Sequence, residues 1–166
     1  MTAVPHTQTS RVHPQWLSRF SQWRDWLPEG SSLPVEVWTA RQTGILTFLW
    51  LHVVGLAIFG IAMGENAGHV ALEVALIASF AIAASMPNVS RGARSALVSA
   101  GLLTASAVLV HLSGGFVEAH FHFFVVVGII ALYHDWVPFS LAIGYVVFHH
   151  GLVGVLFPAA VYNHPS

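Results

Sequence analysis

The chain has 166 residues, 55% of them hydrophobic and only 8% charged, with a mean hydropathy of +0.70. A single water-soluble domain of this size cannot hide so much apolar surface in its core, so the bilayer is the solvent for much of it. Six arginines, no lysine and seven acidic residues give a formal net charge of −1, which excludes nucleic acid as the partner. The absence of cysteine excludes disulfides and thiolate metal sites, so any metal must be held by nitrogen and oxygen.

Residues 1–40 read as a leader that becomes amphipathic at Trp16, Leu17, Phe20, Trp23, Trp26 and Leu27, with Arg19 and Arg24 between them. This spacing predicts a segment lying on the membrane surface, or else an arm without fixed structure that rests on the bundle. Pro28, Gly30 and Pro34 break it, and the first apolar stretch begins only after Arg41, which rules out a cleavable signal peptide. About 20 apolar residues are needed to cross a bilayer. On that measure residues 43–157 predict an all-α, polytopic transmembrane helix bundle of about five spans, near 43–63, 69–86, 95–113, a short 119–135, and 137–157. Gly64–Gly68, Pro87–Gly92, Ser113-Gly114-Gly115 and Asp135–Pro138 carry the turn signals between them. Such short connections make sequential helices antiparallel neighbours, and no internal repeat suggests an inverted-repeat transporter. Residues 158–166 form a tail.

Basic residues in short loops favour the cytoplasmic side. Arg11, Arg19, Arg24 and Arg41 precede the first span, and Arg91 and Arg94 lie between the second and third. In a five-span chain these segments share a side, which predicts a cytoplasmic N-terminus in the inner membrane. The loops at 64–68 and 112–118 then face outward.

Most of the eleven histidines lie inside or at the edge of apolar runs, where ionisable groups are costly and tend to mark function. His69 and Glu73 open the second span, His111 closes the third, Glu118, His120 and His122 open the fourth, and His149 and His150 lie in the outer half of the fifth. All eight share one depth zone, with His52 near its lower edge. Residues four apart stack on one helix face, so His69 with Glu73 and Glu118 with His122 form two imidazole and carboxylate pairs. Such pairs projecting into a bundle assemble transition-metal sites, here for zinc, iron or copper. The expected metal ligands are therefore His69, Glu73, Glu118, His120 and His122. His120 stands about 200° from the Glu118/His122 face of a regular helix, and His149 and His150 diverge by about 100°, so one of that pair at most would join a single centre. A haem would instead need two histidines at similar depth on facing helices, His111 with His149 or His150. A lone imidazole such as His52 is more simply hydrogen-bonded to a backbone carbonyl or a polar neighbour on the next helix.

The run from His111 to Gly115, the string Glu118-Ala119-His120-Phe121-His122-Phe123-Phe124-Val125, the stretch from Tyr133 to Trp136 with Pro138, and the pair His149-His150 resemble the N-terminal multi-span sensor region of bacterial signalling proteins. These are certain methyl-accepting chemotaxis receptors, diguanylate cyclases and sensor histidine kinases. The resemblance covers roughly residues 43–164 and implies a sensory input module coupled to a cytoplasmic signalling domain or partner protein. The family pattern carries a further span after a segment like Tyr162-Asn163-His164, so five spans imply a truncated chain; a fourth segment that stops short of crossing is the alternative.

Three functions compete at this stage. The first is a sensor that holds a metal ion or haem and passes on its state. The second is a membrane-bound metal-dependent hydrolase or oxygenase acting on a lipid or small apolar substrate, with Glu73 or Glu118 as general base. The third, a proton or metal conduit, is disfavoured by the one-sided placement of the polar groups. Small residues such as Gly101, Ala105, Gly128, Gly144, Gly151 and Gly154 permit close helix contacts, within one chain or between copies in a homo-oligomer.

Overall fold

The computed structural model describes Gly30 and residues 33–157, so the amphipathic stretch of the leader at 16–27 and the tail expected from the sequence lie outside the described residues. Among the described residues there are five helices and no strand: α1 (Val35–Ala62), α2 (Ala67–Ser85), α3 (Arg91–Leu112), α4 (Val117–Ala131) and α5 (Trp136–Leu156). Within α5, Phe148–Val153 is wound as a π-helix. Four of the five are long and apolar enough to cross a membrane, and α4 is the shorter one.

Local chemistry sets the boundaries. The Asn66 side chain accepts hydrogen bonds from the backbone N–H of Gly68 and His69 at the start of α2. Ser90 accepts from Ala93 N–H at the start of α3, and Asp135 accepts from Val137 N–H at the start of α5. Each satisfies backbone donors that a helix leaves free in its first turn. Gly114 and Gly115 turn the chain from α3 to α4 with φ of 71° and 79°, a left-handed conformation that glycine adopts without steric cost. The first helix begins at Val35, eight residues ahead of the expected span at 43. Pro34 stands just before it, where a missing N–H costs nothing.

α4 has 15 residues, about 22 Å of helix against a hydrocarbon core of about 30 Å. It still runs antiparallel to α1 through matched levels. Arg41 Nη1 donates to Leu132 O, and the Tyr133 hydroxyl donates to Gln42 Oε1 at 2.8 Å, while His52 meets His122 further along both helices. α4 thus leads from the Ser113 turn back to the level of Arg41. Arg91 donates to Leu33 O at 2.9 Å and Arg94 to Met86 O at 2.9 Å, so the three described arginines gather at one end of the bundle. The Asn66 and Ser113 turns form the other end.

α3 is the axis: 67% of its apolar stretch is buried, against 17 to 22% for the three other long helices. It can be central because Ser95, Ser99, Gly101, Ala105 and Ser106 keep its surface low enough for neighbours to approach. Ser99 donates to the carbonyl of Ser95 on its own helix at 2.8 Å and Ser106 Oγ lies 3.0 Å from Leu102 O, so neither hydroxyl is buried without a partner. A Cβ added at Gly101 would lie 2.8 Å from Leu49 Cδ2 and 3.0 Å from Phe80 Cβ, in the seam between α1, α2 and α3.

Gly101→Leu is expected to destabilise the bundle by about 1–3 kcal/mol through overpacking, whereas Gly128→Ala, where an added Cβ meets nothing within 4 Å, leaves stability unchanged or raised. Reversible unfolding in detergent micelles checks both. Tyr133→Phe leaves Gln42 Oε1 without its buried donor and is expected to cost about 1–3 kcal/mol in the same assay.

Candidate functional site

The outer zone expected from the sequence resolves into three groups of side chains, each joining different helices. The first lies at the end of the bundle opposite the arginines. The Asn66 cap fixes the start of α2, which places His69 in its first turn and Glu73 one turn further on the same face. His111 reaches them from the last turn of α3. His69 Nε2 and His111 Nε2 are 3.2 Å apart, and Glu73 Oε1 lies 3.4 Å from the former and 3.6 Å from the latter. Both imidazoles are about half exposed while the Glu73 carboxylate is only 17% exposed, and its Oε2 is buried with no hydrogen-bond partner.

Those three separations suit a shared cation. Two donor atoms each about 2.0–2.1 Å from a tetrahedral ion stand about 3.3 Å apart, close to all three edges of this triangle. The donors are two imidazoles and one carboxylate, a set that suits zinc, iron or copper. Three protein ligands leave a fourth position open toward the exposed side.

The second group sits deeper, between α1, α3 and α4. His52 Nε2 lies 2.9 Å from His122 Nε2, His52 Nδ1 donates to Phe48 O at 2.7 Å, and Ser106 Oγ lies 2.8 Å from His122 Nδ1. The bond to Phe48 O is the backbone anchor that sequence reasoning gave His52. Its facing imidazole, His122, was expected to pair with Glu118, and the Ser106 hydroxyl is a partner that the sequence did not single out. The only trace of Ser106 there is depth, just over one turn before His111.

The third group joins α4 to the π-helical part of α5. The rings of His120 and His150 are 5.3 Å apart, and Phe123 stands 5.2 Å from both His149 and His150. His149 is buried against Phe123 and Tyr145, and its Nδ1 has no hydrogen-bond partner. The two consecutive histidines both stand beside Phe123 in this π-helical stretch, with their rings 5.1 Å apart and steeply inclined to one another.

The expected residues are thus redistributed. His69, Glu73 and His111 come together as a set of three. His122 pairs with His52 and Ser106 and not with Glu118, which is exposed in the first turn of α4. His120 joins His149 and His150. The haem pairing of His111 with His149 or His150 meets a different placement, since the former faces α2 and the latter two face α4.

No family model matches the chain, and no solved structure does. It is similar to the curated Transducer protein Htr8 of Halobacterium salinarum, at 39% identity over 154 residues. The match takes in 86% of this chain but 24% of the relative, so the chain spans about a quarter of that protein's length. Four of the described helices are apolar and long enough to cross a membrane, and the likeness to a transducer protein runs over most of the chain.

Proposed function

We propose that the chain is a membrane-embedded sensory input module, and that His69, Glu73 and His111 hold a transition metal ion whose presence or state is the signal. The observation that carries this reading is the triangle of donor atoms joining α2 to α3, with edges of 3.2, 3.4 and 3.6 Å. Likeness to a transducer protein supports the signalling role. With the arginine end in the cytoplasm, the metal end faces outward, and the fourth ligand position is open to a small molecule on that side. An ion that grips α2 and α3 together favours whichever arrangement of the two helices closes the triangle, and so shifts their equilibrium by its differential affinity. The shift is passed along α3 to the arginine end, where a cytoplasmic signalling domain or partner protein reads it.

Elemental analysis of the purified, zinc-loaded protein is expected to find one tightly held ion per chain. His69→Ala and His111→Ala abolish stoichiometric loading, and Glu73→Gln weakens it by about tenfold or more. A wild-type protein that stays metal-free after loading, or variants that load equally, would overturn the reading.

Orientation is tested separately, because the cysteine-free chain accepts single reporters. In intact cells a membrane-impermeant thiol reagent is expected to label Glu65→Cys and to spare Asn88→Cys until the cells are broken. The reverse pattern would invert the proposed topology.

A further inference from the structure

The imidazole pair between α1 and α4 poses a question of proton placement. Phe48 O is a carbonyl and only accepts, so His52 carries its proton on Nδ1 and turns an Nε2 lone pair toward His122. Ser106 has a single hydroxyl proton but two acceptors in reach, Leu102 O at 3.0 Å and His122 Nδ1 at 2.8 Å. Two arrangements follow. In one, the Ser106 hydroxyl donates to His122 Nδ1, and His122 Nε2–H donates to His52 Nε2. In the other, the hydroxyl donates to Leu102 O, His122 Nδ1–H donates to Ser106 Oγ, and two Nε2 lone pairs face each other across 2.9 Å. The second arrangement repels itself unless a cation lies between the nitrogens. It also has the outer hydrogen bonds of a metal-binding pair, with each imidazole anchoring one N–H on protein oxygen and presenting the other nitrogen.

We propose that His52 and His122 form a second metal site, specific for a monovalent copper ion, and that the Ser106 hydroxyl switches acceptor between the empty and the filled arrangement. A cavity of about 250 Å³ adjoins the pair, lined otherwise by Leu51, Gly55, Leu56, Phe59 and Leu109. These walls offer no negative charge. A cation there keeps its full charge in an apolar setting, which penalises a divalent ion more than a monovalent one, and imidazole nitrogen suits copper. Two imidazoles on a two-coordinate monovalent copper ion stand opposite one another, roughly 4 Å apart at metal–nitrogen distances of about 2 Å, so filling the site opens the 2.9 Å pair by roughly 1 Å toward the adjoining cavity. The ligands of this site sit on α1 and α4, whereas those of the His69 triangle sit on α2 and α3, so either set of ligands can be removed while the other is kept.

The test is a titration of the full chain in detergent with copper(I), under reductant and against a chromophoric copper(I) chelator. The background is the double variant His69→Ala/His111→Ala, which lacks the outer site and keeps this one. One copper(I) per chain is expected in that background, lost on adding His52→Ala or His122→Ala and weakened about 10–100-fold by Ser106→Ala. Because a buried histidine variant can misfold, the same background protein is followed by imidazole nitrogen NMR. Loading is expected to move the His122 proton from Nε2 to Nδ1 while His52 keeps its proton on Nδ1. No copper(I) taken up, or uptake without the tautomer change, overturns the site. Zinc bound as tightly as copper(I) overturns the monovalent assignment.

Discussion

Lipid tails are as apolar as leucine, so helices in a bilayer are held together by close packing and by hydrogen bonds satisfied inside the protein. α3 meets both demands at once. Its buried serines find partners on their own backbone or on a neighbouring helix, and its glycine and alanine positions let the other helices lean on it. Two of the three histidine groups follow from this arrangement, because helices packed around a common axis aim inward side chains at it. α3 contributes His111 to the outer triangle and Ser106 to the inner pair, about 7.5 Å apart along its length. It also approaches α5 through Thr104, whose hydroxyl lies 3.4 Å from that of Tyr145.

Much of this was legible in the sequence, and the reason is depth. Hydropathy sets helix length, loop length sets antiparallel order, and together these fix how far along the bundle each residue lies. That is why His69, Glu73 and His111, each within a turn or two of the end opposite the arginines, could be assigned to one zone and do come together. Rotation about the helix axis is another matter. Glu118 and His122 share a face, yet α4 is turned so that His122 meets His52 while Glu118 stays at the exposed end. Which way a helix faces depends on the shapes of all its neighbours, and no single periodicity encodes that. The early start of α1 has a similar cause. Arg41 and Gln42 mark a boundary by polarity, but they are drawn into the structure by the Leu132 carbonyl and the Tyr133 hydroxyl.

The two proposed ion sites differ in ways that follow from position. The outer triangle has a carboxylate and half-exposed imidazoles, so it can offset the charge of a divalent ion and exchange it with solvent. The inner pair has only neutral donors and apolar walls. Ser106, which sets the proton arrangement of the inner pair, and His111, which closes the outer triangle, belong to one rigid helix, so a displacement of α3 at either group is felt at the other.

The π-helical stretch of α5 has a consequence for how the wall beside Phe123 tolerates change. A π turn carries more residues than the α turn it replaces, and both His149 and His150 stand beside Phe123 here. A residue added or removed between Trp136 and Phe157 turns every side chain beyond it by about 100° around a regular helix, so this wall depends on the length of the segment as much as on its residue types.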